Sequence, residues 1–182
     1  MAVRFGVVGT GNIGSQHIQL LNSGKVTGAT LAATASRSAP DLVTGVPHFE
    51  DYRQMFSNAD INAVLIATPT MSHVEVAQSA LEHSFHVVME KPIAMSILQA
   101  ETLLARVPDD LKFAVMLNQR FHPAYAKLKQ LLVDDALGSL QRVSWTMTAW
   151  YRPDIYYQVS SWRGTWTGEG GGLLINQCIH NL

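Results

Sequence analysis

The chain has 182 residues, 47% of them hydrophobic and 15% charged, so it holds ample material for a buried core and is not a disordered segment. A formal net charge of −1 gives no general attraction to nucleic acid or to anionic lipid, and no apolar run, residues 63–67 included, approaches the length needed to cross a bilayer. One cysteine, Cys178, cannot form a disulfide within the chain, and the first 14 residues lack a secretory pattern, so the expectation is a reduced, cytoplasmic protein without membrane or nucleic-acid partners.

Residues 3–8 read as a compact apolar strand, followed at once by a glycine turn and a helix over 12–23 that Gly24 stops. Residues 31–36 read as a second strand and 38–47 as a loop with one helical turn at most. His48-Phe49 is a very short third strand. Asp51 is placed to cap a helix that buries Tyr52, Met55 and Phe56. Residues 63–68 form the next buried strand, ended by Pro69. Ser72 and Glu75 have capping-box spacing, with Val74, Ala77 and Leu81 as the apolar face behind them. Residues 86–89 are a fifth strand. Ser96 and Gln99 repeat the box, with Ile97, Ala100 and Leu104 as the stripe. Residues 112–117 complete the series. Strands alternating with helices of this length predict βαβ units, an α/β class built on a doubly wound parallel sheet.

The pattern changes near Asn118. Pro123 suits the first turn of a helix reaching about Asp134, with Leu137-Gly138 beyond its end. Residues 140–150 alternate, Val143, Trp145, Met147 and Ala149 against Ser144, Thr146 and Thr148, which predicts a half-buried strand of an antiparallel sheet. The reading is a Rossmann domain over 1–119 and the start of a second, mostly antiparallel α+β domain over 120–182, lacking most of its sheet.

Gly9-Thr10-Gly11-Asn12-Ile13-Gly14 matches a dinucleotide fingerprint in its proper context, after a strand and opening a helix. Gly9 permits the tight turn, Gly11 lets the backbone approach a pyrophosphate, and Gly14 brings the helix close to the strand; Asn12 and Ile13 open the first turn, whose N–H groups face the anion. An NAD site places a carboxylate at the end of the second strand. This chain has Ser36-Arg37 there and no acid until Asp41. A hydroxyl followed by a forked guanidinium suits a 2′-phosphate, so NADP is slightly favoured over NAD, the alternative being an Arg37 that only stacks on adenine or lies in solvent.

Together with Ala67-Thr68-Pro69 before His73, with Glu90-Lys91-Pro92, Asn118-Gln119-Arg120-Phe121, Trp162-Arg163 and Gly170 through His180, the fingerprint resembles the Gfo/Idh/MocA family of oxidoreductases. The resemblance implies a Rossmann domain followed by a mostly antiparallel domain. It also implies NAD(P)-dependent oxidation or reduction of hydroxyl and carbonyl groups on sugars, cyclitols and related polar compounds, a cis Lys91–Pro92 peptide, and a homo-oligomer (dimer or tetramer) when the chain is complete. Relatives look about twice as long, which makes an inactive piece of the enzyme one reading of this chain. Thr68, Pro69, His73, Glu90 and Asn118 are carried over as cofactor-binding positions, and Lys91, Asn176 and His180 as catalytic and substrate-binding ones. The family most often has aspartate where this chain has Asn176.

Removing a carbinol hydride requires the hydroxyl proton to reach a base. Histidine titrates near neutrality, so His180 is expected to exchange that proton. Lys91 is expected to polarise the oxygen, its own proton affinity falling in a desolvated cleft. Asn176, unable to act as a base, is expected to orient the substrate from the same helical face as His180, four residues on. Tyr151, Arg152 and Tyr156 are further candidates for the cleft. No metal-ligand spacing occurs among the remaining histidines; His17, His83 and His122 read as solvated or capping residues, and the tryptophans as core or subunit contacts. Two other classes remain: a dinucleotide-binding sensor without turnover, and a Rossmann methyltransferase, which Ser36-Arg37 argues against.

Overall fold

The computed structural model describes residues 2–39, 45–146, 151–158, 161–170 and 172–180. Its centre is a parallel sheet of β1 (Val3–Val8), β2 (Ala29–Ala35), β3 (His48–Phe49), β4 (Ala63–Ile66), β5 (His86–Met89) and β6 (Phe113–Val115), in the spatial order β3-β2-β1-β4-β5-β6. The crossovers are α1 (Asn12–Asn22) after β1, α2 (Tyr52–Asn58) after β3, α3 (His73–Glu82) after β4 and α4 (Ile97–Leu104) after β5. Strand order reverses between β1 and β4, which leaves a crevice beyond their carboxyl ends.

All four residues of β4 are buried, as a central strand covered on both faces requires. Val7, Leu31 and Leu65 pack with Ile18 and Leu21 of α1 on one face. Val8, Val64, Ile66, Val87 and Met89 pack with Met55, Phe56, Val76 and Leu103 on the other. Asp51 caps α2 by accepting from Arg53 N at 2.9 Å, and Ser96 caps α4 by accepting from Gln99 N at 3.3 Å.

Three local expectations are corrected. Ser72 makes no cap bond, because it ends a 3-10 turn (Thr70–Ser72) with α-region backbone, whereas a capping residue needs extended geometry. Its hydroxyl donates to Pro69 O at 2.9 Å instead, and Glu75 turns outward to Tyr52 and Arg53. The buried stripe of α4 runs through Leu103, with Ala100 and Val107 partly covered; Ile97 is 78% exposed. The two stripes share Ala100 and the same spacing, so the period alone does not choose between them.

The third correction concerns residues 140–150. After α5 (Pro123–Val133), whose first turn holds Pro123 and whose N-cap His122 accepts from Ala124 N at 3.3 Å, residues 139–146 are irregular and exposed. No described strand lies beside them to complete a ladder, and residues 147–150 fall outside the described set. Three short helices follow, α6 (Asp154–Gln158), α7 (Trp166–Glu169) and α8 (Gly172–Asn176), then a 3-10 turn (Cys178–His180). α7 packs on the turn after β4, and the last turn packs on a 3-10 turn (Asn118–Phe121) after β6. The C-terminal segment thus closes over the carboxyl end of the sheet. Among the described residues no helix is long and apolar enough to cross a membrane.

Candidate active site

The loop after β1 is tight where it meets the sheet and open where it faces the crevice. Gly9 has φ +92°, and a Cβ on it would lie 2.6 Å from Ala67 O. A Cβ on Gly14 would lie 1.9 Å from Gly9 O, so α1 approaches β1 only because that position is bare. A Cβ on Gly11 would meet nothing within 4 Å. Gly11, Asn12 and Ile13 are exposed, and no side chain caps the first turn of α1. Across the crevice Thr68 Oγ1 is buried without a hydrogen-bond partner. Open space, uncapped N–H groups and an orphaned hydroxyl fit a dinucleotide diphosphate and its ribose.

At the end of β2 the two expected donors separate. Ser36 Oγ donates to Ser38 O at 2.6 Å and accepts from Thr10 Oγ1 at 2.6 Å, so its proton is already committed within the loop. Arg37 is exposed and lines a cleft of about 280 Å³ with Pro69, Met71, Trp162, Thr165 and Gly168. Trp162 is therefore a cleft wall, and Trp166, 83% exposed, is not core either. Trp145 is half exposed against Tyr125, and Trp150 lies outside the described residues.

The end of β5 carries Glu90 and Lys91, and the Lys91–Pro92 peptide is cis. His73 is not open to a cofactor. It is 1% exposed, with Nδ1 2.7 Å from Pro92 O and Nε2 2.9 Å from Thr68 O, and so bridges the loops that follow β4 and β5. Burial lowers its proton affinity more than the two carbonyls raise it. Glu90 is engaged too: Oε1 lies 2.8 Å from Nε2 of His17 on α1, with both side chains mostly buried. His17 is thus neither solvated nor a cap. Asn118 is exposed in its 3-10 turn.

Lys91 Nζ donates to Asn176 O at 2.6 Å, and burial, ahead of Glu90, Arg152, Glu169 and Arg163, pulls its proton affinity below the ordinary value. The Asn176 side chain is not free to orient a ligand. Nδ2 donates to Glu169 Oε1 at 2.5 Å and Oδ1 accepts from Arg152 Nη2 at 2.6 Å. Glu169, 4% exposed, also accepts from Gly164 N at 2.7 Å and has Arg163 at 3.9 Å. Asn176 and His180 do not share one α-helix, since α8 stops at Asn176 and His180 ends the 3-10 turn that follows. His180 still lies within electrostatic reach of Lys91. Burial first, then the Lys91 charge, lowers its proton affinity against the pull of Glu90, and its Nδ1 is buried without a partner.

A family model described as an oxidoreductase family with NAD-binding Rossmann fold matches residues 3–118. The chain belongs to the Gfo/Idh/MocA family. A second model, the Gfo/Idh/MocA C-terminal domain, matches residues 125–182. Inositol 2-dehydrogenase from Arthrobacter sp. is 33% identical over 150 residues, covering 76% of this chain and 43% of that protein. The structure of scyllo-inositol dehydrogenase from Lactobacillus casei with NAD(H) and scyllo-inositol superposes with a TM-score of 0.70 at 32% identity, covering 76% of this chain and 43% of that one. The WlbA dehydrogenase from Bordetella pertussis, in complex with NADH and UDP-GlcNAcA, has a TM-score of 0.86 at 26% identity, covering 99% of this chain and 55% of that one. The chain spans about half the length of the curated relatives it matches.

Within this Gfo/Idh/MocA chain the structure gathers Gly9, Gly11, Gly14, Thr68, Pro69, Glu90, Lys91 and His180 at the carboxyl end of the sheet. It removes His73 and the Asn176 amide into internal contacts. Arg152, a cleft candidate from the sequence, enters the site through the Asn176 amide, whereas sequence reasoning missed Glu169 and the pairing of His17 with Glu90. The glutamate directly before Gly170 was the one available signal, an acid at the entry to an apolar helix. Among the described residues no group of three or more His, Cys, Asp or Glu is placed to hold a metal.

Proposed function

We propose that the protein is an NAD(P)-dependent oxidoreductase acting on a hydroxyl or carbonyl of a sugar, cyclitol or related polar compound, with a dinucleotide-binding unit over 1–119 and a substrate unit beginning at 120. The observation that carries this reading is the buried, unpartnered Nδ1 of His180 beside the partly desolvated ammonium of Lys91, above the open glycine loop. The bound nicotinamide supplies the hydride acceptor or donor. Lys91 donates to the substrate oxygen and stabilises it as negative charge develops. His180, held neutral at pH 7 by burial, takes the hydroxyl proton during oxidation and returns it during reduction. Asn176 and Glu169 hold the C-terminal segment so that His180 and Lys91 face the same space.

The reading favours NADP. Arg37 stands exposed at the cleft edge, and Ser36 and Ser38 flank it in sequence where an NAD site carries a carboxylate, although the relatives solved with coenzyme carry NAD(H). A cytoplasmic homo-oligomer belongs to the same reading, supported by the lone Cys178 and by exposed Leu137, Leu140 and Val143.

Calorimetric titration with both coenzymes, followed by the absorbance of reduced nicotinamide across cyclitols, aldoses and uronates, tests it. Tight coenzyme binding with turnover of one compound class supports the reading. Saturating coenzyme with no absorbance change on any compound overturns it in favour of a sensor.

A further inference from the structure

The fingerprint helix reaches the proton-handling groups directly. His17 lies on α1, three residues beyond Gly14, and its Nε2 meets Glu90 Oε1 at 2.8 Å. Side-chain exposures of 14% and 16% take both groups largely out of water. A carboxylate oxygen so far out of water needs a hydrogen-bond donor on it. Among the described residues, Glu90 is the carboxylate that raises the proton affinity of both Lys91 and His180. Its backbone is fixed by Glu90 N donating to Ile66 O at 2.8 Å, but its side chain is fixed by His17.

We propose that His17 is a positioning residue: it pins the Glu90 carboxylate at the strand end that carries Lys91, and so couples the dinucleotide helix to the acid–base pair. This rests on the reading of Lys91 and His180 as that pair. The charged groups around Lys91 are Glu90 and Glu169, which support its ammonium, and Arg152 and Arg163, which oppose it; those around His180 are Lys91 and Glu90. Glu169 is held by Asn176, Gly164 and Arg163, so Glu90 is the carboxylate whose placement depends on α1.

The test is the titration of the His180 imidazole, followed by proton–carbon NMR on the full chain, which needs no turnover and so stands apart from the assay of function. Glu90→Gln removes the charge and lowers the His180 midpoint. His17→Leu removes the donor and lowers it in the same direction, while His17→Gln, which keeps an N–H, restores it toward the wild-type value. A purely structural contact would change melting temperature and leave all four midpoints together, and that result overturns the proposal. If His17→Leu does not fold, Glu90→Gln and His17→Gln decide together: an unmoved His180 midpoint in Glu90→Gln refutes the coupling, and a lowered midpoint there with His17→Gln at the wild-type value supports it.

Discussion

The Lys91 ammonium donates to the main-chain carbonyl of Asn176, 85 positions further along the chain, at 2.6 Å. That bond ties the end of β5 to the C-terminal segment and sets the lysine beside His180. A carbonyl is an acceptor that a substrate oxygen can replace, so the lysine is both held and available.

Lys91→Ala should reduce kcat by about 100-fold or more while coenzyme affinity is retained, since the loop that would hold the diphosphate does not involve Lys91. Steady-state kinetics and calorimetric titration with coenzyme check it. Near-normal turnover would refute the role.

The glycines of the first loop should divide by mechanism. Gly14→Ala forces a Cβ to 1.9 Å from Gly9 O and should cost about 3 kcal/mol in urea unfolding. Gly11→Ala meets nothing within 4 Å and should leave stability unchanged while weakening dinucleotide binding. Equal stability losses for the two variants would count against the site.

Arg37→Ala should weaken NADP by about 10-fold, the worth of one charge-assisted hydrogen bond, and leave NAD unchanged. Paired calorimetric titrations measure the ratio. Equal losses for the two coenzymes would mean that Arg37 does not read the 2′-phosphate.

Asn176→Asp should not improve turnover here. The new carboxylate would face Glu169 Oε1 in place of the amide that now donates at 2.5 Å. A stability loss of about 1–3 kcal/mol near pH 8 is expected, shrinking toward pH 5 as one carboxyl binds a proton. Urea unfolding at the two pH values checks it.

Stability should also fall in mild acid. Burial holds His73 and His180 below the ordinary imidazole value of 6.5, so below that value the unfolded chain binds more protons than the folded one. The contribution is complete above pH 6.5 and is lost as pH drops toward the folded values. His73→Gln should flatten the dependence; an unchanged slope in urea midpoints against pH would show that His73 is not its source.

The alternation of strand and helix, the glycine loop and the run Glu90-Lys91-Pro92 were legible in the chain because each is local. A parallel strand reads as a short apolar run, a tight turn needs bare positions at fixed offsets, and a cap needs its hydroxyl or carboxylate within three residues of the N–H it serves. Where a local signal had two physical outcomes, tertiary packing chose. Ser72 became the end of a 3-10 turn, and α4 buried Leu103 in place of Ile97. What no spacing could reveal were contacts between distant segments: His17 with Glu90, His73 with Pro92 O and Thr68 O, and Asn176 between Arg152 and Glu169. Two of these, His17 with Glu90 across 73 positions and His73 with Pro92 O across 19, depend on how the crossovers stack the strand ends, and that is a property of the folded sheet. Residue type told which groups were able to do acid–base chemistry; only the packing of the C-terminal segment on the sheet decided which of them were left with an unfilled partner.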